Sequence, residues 1–167
     1  EGYFELFLLE LTTGLRRGEL LALQWDDLNL ETGELQVTKQ VYRTKEDGLL
    51  ISQPKTKSSI RTVSLPPTLL NILKEYKESV NSRWMFPAPV KEDSPLDPAY
   101  IRTRLHLILE HAQCKQIRFH DLRHTFATRA LNKGMPLPTL CDIMGHASTE
   151  TTRIYAKNSA GKMKYEY

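Results

Sequence analysis

The residues with the greatest chemical reach lie in the last third of the chain: His120-Asp121-Leu122-Arg123, then Gly145-His146, then Tyr155 closing Thr151-Thr152-Arg153-Ile154-Tyr155. An imidazole, a guanidinium, a second imidazole and a phenol can together attack a phosphodiester without a metal, because the cations hold anionic oxygens while the phenol supplies the nucleophile. Far upstream, Thr13-Gly14-Leu15-Arg16-Arg17-Gly18-Glu19-Leu20 adds Arg16 and a nearby acid, Glu19. A phenol with a pKa of about 10 is ionised to only about one part in a thousand at neutrality. Tyr155 is therefore a useful nucleophile only in the company of cations. Taken singly, a tyrosine is a core or rim aromatic and an exposed His-Arg pair is solvated surface. The six other tyrosines, Tyr3, Tyr42, Tyr76, Tyr100, Tyr165 and Tyr167, lack the neighbours that set Tyr155 apart.

Elements must carry these groups to one place. The 167 residues make one domain of ordinary size with enough apolar content for a core. A net charge of +3 and a pI of about 8.8 suit a polyanionic partner without demanding one. Cys114 and Cys141 have no metal-ligand spacing and read as reduced thiols. No apolar run approaches the length needed to span a bilayer. The chain opens inside an apolar helical pattern, so further sequence is expected upstream.

Tyr3, Phe4, Phe7, Leu8 and Leu11 recur at helical spacing, Gly14 interrupts them, and residues 19–23 resume the pattern: helix, glycine corner, helix. After the Glu31-Thr32-Gly33 turn, Leu35, Val37 and Val41 fall on a β-rich run, with further strands near 49–52 and 60–65. Short polar links, Asp47-Gly48 and Lys57-Ser58-Ser59, predict a three-stranded antiparallel meander. Beyond Pro66-Pro67 the spacing predicts helices near 67–79, 98–113, 120–133, 138–144 and 149–157. The fold class is α+β, mostly helical with a small sheet. In the helix near 120–133, His120 and Arg123 share one face while Leu122, Phe126 and Ala130 occupy another.

In the order and spacing of these boxes the chain resembles the catalytic domain of tyrosine recombinases, the integrases of temperate phages and conjugative transposons, over nearly all of residues 1–167. The resemblance sets the family's first arginine on Arg16, with Glu19 as its acidic companion. It sets the His-x-x-Arg box on His120 and Arg123, the Gly-His box on Gly145-His146, and the nucleophile on Tyr155. Met144 stands where leucine is commoner. The family's general-acid lysine lies in a turn of the small sheet, where Lys55 is favoured over Lys57 because it precedes a threonine; Arg61 and Lys39 are candidate backbone contacts. What the resemblance implies is cleavage and rejoining of DNA strands through a 3′-phosphotyrosine. Arg16, Arg123 and His146 would hold the scissile phosphate, Lys55 would protonate the leaving 5′-oxygen, and His120 would assist proton transfer at the tyrosine. It implies no cofactor and no metal. It also implies double-stranded DNA sites as partner, a homotetramer on DNA, accessory DNA-bending or excisionase proteins, a bacterial cytoplasmic setting, and amino-terminal DNA-binding domains outside this stretch.

Other readings use parts of the same residues. A type IB topoisomerase shares the constellation, and a catalytically silent DNA-binding module would need only the basic surface. A zinc site from His120, His124 and His146 lacks the accompanying Glu and a fourth ligand.

Overall fold

The computed structural model describes residues 3–54 and 57–162. Seven helices are present among them: α1 (Tyr3–Thr13), α2 (Arg17–Leu21), α3 (Pro67–Glu78), α4 (Pro98–His111), α5 (Phe119–Asn132), α6 (Leu137–Met144) and α7 (Thr149–Lys162). Four short strands, β1 (Glu34–Val37), β2 (Gln40–Thr44), β3 (Gly48–Ser52) and β4 (Arg61–Ser64), complete the mostly helical α+β fold. No helix among the described residues is long and apolar enough to cross a membrane.

The antiparallel part differs in detail from a three-stranded meander. β1 pairs with β4, Leu35 opposite Val63, while β2 pairs with β3, Val41 opposite Ile51. The run expected as one strand is broken at Thr38-Lys39. There the Lys39 ammonium turns inward and donates to Gln24 Oε1 and Asp27 Oδ1, each at 3.1 Å. Those bonds draw the chain toward the short helical turn at Trp25–Asp27 and divide the ladder. They also pair Lys39 with Asp27, its side chain remaining 27% exposed.

α1 buries Leu6, Leu9, Glu10 and Thr13, with Tyr3, Phe7, Leu8 and Leu11 at the edges of the core and Phe4 exposed. The buried line is rotated from the expected one because the helix packs against both α3 and α5. At the corner after it, Gly14 has φ of +60°, and a Cβ there would sit 2.2 Å from Cδ1 of Phe126. Only glycine meets both demands.

Two apolar clusters result. The larger joins α1, α2, the strands, α3 and α4 to Phe119 and Leu122; the smaller gathers Phe126, Ala127, Ala130, Leu140, Met144 and Tyr155. α5 belongs to both, and Arg123 lies in the turn between its two apolar sets. Cys114 is exposed, Cys141 is buried, and both are free thiols.

Candidate active site

Arg123 is 2% exposed, so its charge needs internal partners. It donates from Nη1 to the Gly14 carbonyl, from Nη2 to the Met144 carbonyl at 2.7 Å, and from Nη2 to His146 Nε2 at 2.9 Å. These contacts tie α5 to the corner after α1 and to the end of α6. Burial, followed by the positive charge of Arg16, brings the guanidinium down to about 10, which still leaves it cationic at neutral pH.

Arg16 precedes α2 and closes it: its backbone N–H donates to Glu19 Oε2 at 2.9 Å, an acid three residues into the helix satisfying a free donor. Its Nη1 meets Glu19 Oε1 at 2.9 Å and its Nη2 reaches the Gly145 carbonyl at 2.9 Å. The side chain remains 38% exposed, open to an incoming anion. Glu19 is 1% exposed; burial pushes its carboxyl up, but Arg61 and Arg16 outweigh that and hold it below the usual carboxylate range.

Gly145 ends α6 in the left-handed conformation, φ +65°, and its N–H and that of His146 return to Asp142 and Cys141. This reversal aims the His146 ring at Arg123. The other ring nitrogen, Nδ1, lies 2.7 Å from Oγ1 of Thr152, which is fully buried on α7. Burial and the charges of Arg123, Arg16 and Arg61 bring His146 down to about 4.

Tyr155 lies one turn further along α7, 6% exposed within the smaller apolar cluster, with its ring 5.2 Å from that of His124. Burial raises the phenol and the nearby Arg123 charge opposes it. His124 in turn stands edge-on to His120, centroids 4.6 Å apart, so three rings run in sequence from His120 to the phenol. His120 itself is exposed, and burial followed by His124 and Arg123 lowers its pKa.

Lys55 lies outside the described residues. Lys57 is exposed in the single helical turn Lys57–Ser59. Arg61 points inward to Glu19 with its side chain only 7% exposed, which sets it apart from a phosphate contact. Among the described residues no three metal-binding side chains converge, and the His120, His124 and His146 trio is not assembled.

Sequence reasoning passed over several contributors. Arg17, Arg102, His106 and Arg118 join Glu10, His120 and Arg123 around a cavity of about 360 Å³ beside the arginine cluster. Both carboxylate oxygens of Glu10 are buried without a hydrogen-bond partner, and burial holds the group well above the usual range. Arg17 carried a visible signal as the second residue of the Arg16-Arg17 pair. Arg102 and Thr152 carried none, since a helical arginine and a threonine in a threonine-rich run look ordinary. Chemically, the assembly offers two guanidiniums and an imidazole around one point, with a phenol one helical turn beyond.

A model of the phage integrase family matches residues 4–162. The chain is 36% identical over 170 residues to a tyrosine recombinase XerC-like protein of Caldanaerobacter subterraneus, covering 88% of this chain and 43% of that one. It is 31% identical over 153 residues to the ICEBs1 integrase of Bacillus subtilis, covering 84% and 40%. It thus spans less than half the length of these two relatives. Among solved structures, the Tn1549 transposon integrase in complex with transposon right end DNA superposes with a TM-score of 0.84 at 22% identity, over 98% of this chain and 58% of that one. The XerA recombinase superposes with a TM-score of 0.75 at 25% identity, over 98% and 56%.

Proposed function

The chain belongs to the phage integrase family, and from that premise we propose that residues 1–167 are the catalytic unit of a site-specific DNA recombinase. Its reaction is transesterification. Tyr155 attacks the scissile phosphorus and a 3′-phosphotyrosine forms as the bond to the 5′-oxygen breaks. That oxygen takes a proton from Lys55. A 5′-hydroxyl from a second duplex then reverses the step, releasing the tyrosine and joining new strands. Arg16, Arg123 and His146 hold the non-bridging oxygens, where charge builds up in the transition state, and His120 assists proton transfer at the phenol.

The observation that carries this reading is the meeting of Arg16, Arg123 and His146 at the end of α6. Arg16 touches Gly145, and Arg123 touches both Met144 and His146. The partner is double-stranded DNA bearing the recombination sites of a mobile element, engaged as a homotetramer in the bacterial cytoplasm with accessory DNA-bending or excisionase proteins. Support for DNA comes from relatives whose solved complexes contain it and from the arginines around the cavity beside His120. The test is incubation with a nicked suicide duplex, followed by denaturing electrophoresis and mass spectrometry. The expected result is a nucleotide on Tyr155; failure to trap any covalent DNA would overturn the proposal.

A further inference from the structure

Arg61 begins β4, and its side chain is only 7% exposed, so it is out of reach of a DNA backbone. Its bonds go to three separate segments. Nη2 and Nη1 donate to Glu19 Oε2 and Oε1 at 2.9 and 3.1 Å, a two-pronged grip on one carboxylate. Nε donates to the Ile143 carbonyl at 2.5 Å, near the end of α6, and Nη1 also reaches the Ser59 carbonyl at 2.9 Å.

Two of these partners, Glu19 and Ile143, stand one step from the cluster of Arg16, Arg123 and His146. Glu19 caps α2 through the Arg16 backbone and holds the Arg16 guanidinium through Oε1. Ile143 lies two residues before Gly145, whose reversal aims His146. Space is equally tight: a Cβ on Gly145 would sit 2.7 Å from Arg61 Nη1 and 3.3 Å from Arg16 Nη1, so both guanidiniums lie against that glycine. Without Arg61, Glu19 would be a buried carboxylate with a single partly exposed cation, free to pull Arg16 inward. Lysine cannot replace the grip, since an ammonium has no planar fork.

We infer that Arg61 is a positioning residue of the reaction, touching no phosphate itself and fixing, through Glu19 and the Ile143 carbonyl, where Arg16 and His146 point. This rests on the strand-cleavage function proposed above. A misplacement of about 1 Å from outside the chemistry can cost about 100-fold in rate. The role therefore predicts slow chemistry with intact DNA binding.

The experiment measures single-turnover cleavage of a suicide duplex at saturating protein, DNA affinity and melting temperature. The proteins are wild type, Arg61→Lys, Glu19→Gln, Arg16→Lys and the doubles Arg61→Lys/Arg16→Lys and Glu19→Gln/Arg16→Lys. Arg61→Lys is expected to bind DNA within about twofold of wild type and to cleave about 100-fold more slowly. Each double is expected to lose clearly less than the product of its two single losses, because the share of the effect that runs through Arg16 is already gone while the share that runs through His146 remains. Additive losses, an unchanged rate, or weaker DNA binding with normal cleavage would overturn the role. If Arg61→Lys does not fold, Glu19→Gln keeps the side-chain shape and decides by the same comparison. A wild-type protein forming no covalent adduct would sink the strand-cleavage function and this role together, whereas a normal adduct with additive losses would sink this role alone.

Discussion

Arg123 donates to Nε2 of His146 across 2.9 Å, and that contact sets the imidazole's protonation state. A guanidinium has no acceptor, so Nε2 must be the unprotonated nitrogen and Nδ1–H must donate to Thr152. The ring is therefore neutral as found, in keeping with a pKa brought down to about 4.

That depression has a sign in stability. Between about pH 6.5 and the folded value of about 4 the unfolded chain binds the proton that folded His146 refuses, so stability falls as pH drops through this window. His120, also lowered, acts in the same direction. The melting temperature should fall from pH 6.5 toward 4 and should fall less in His146→Gln. A phosphate set among Arg16, Arg123 and His146 favours the charged ring, so DNA binding near pH 5.5 should take up protons. Calorimetry in buffers of different ionisation enthalpy reads this directly; equal uptake by His146→Gln would place the proton elsewhere.

Tyr155→Phe should bind a target duplex as wild type does and give no covalent adduct on a denaturing gel. An adduct in this variant would move the nucleophile to another residue.

Lys55→Ala should slow cleavage of an ordinary phosphodiester far more than that of a 5′-phosphorothiolate, whose leaving group needs no proton. Lys57→Ala should leave both rates near wild type. Equal losses on the two substrates in Lys55→Ala would remove it from the general-acid role.

Arg102 faces the cavity beside His120 with no acidic partner among the ion pairs of the described residues. Arg102→Ala should weaken DNA binding and reduce the slope of log affinity against log salt by about 1. An unchanged slope in a salt titration would remove it from the backbone contacts.

Gly14→Ala would place a methyl against Phe126 in a left-handed backbone position. The combined strain and overpacking should cost about 2–5 kcal/mol, read as a lower midpoint in denaturant. It should also slow cleavage, since the Gly14 carbonyl holds Arg123.

Much of this was legible in order and spacing. Gly14 marked a reversal, the Leu122, Phe126 and Ala130 stripe marked the buried side of α5, and the ordered boxes named the segments that meet. The two-pair arrangement of the strands was not legible, because a lysine inside a β-rich run gives no sign that it will turn inward to Asp27. Arg61 looked like a surface cation for a related reason. Its partner Glu19 lies 42 residues away, and single-sequence spacing has no means of joining such positions. Glu10, buried and uncompensated on an apolar helix, ran against every polarity rule that guided the reading of α1.

The Gly14 carbonyl that receives Arg123 is separated from it by 109 positions, and Arg16 from its Gly145 acceptor by 129. A ribosome must therefore deliver nearly the whole of this stretch before the guanidinium pair can form. Loop-closure entropy places such long-range joins late in folding. A chain released before Gly145 would lack both the acceptor of Arg16 and the later Tyr155, so an incomplete copy would hold neither the paired guanidiniums nor the phenol.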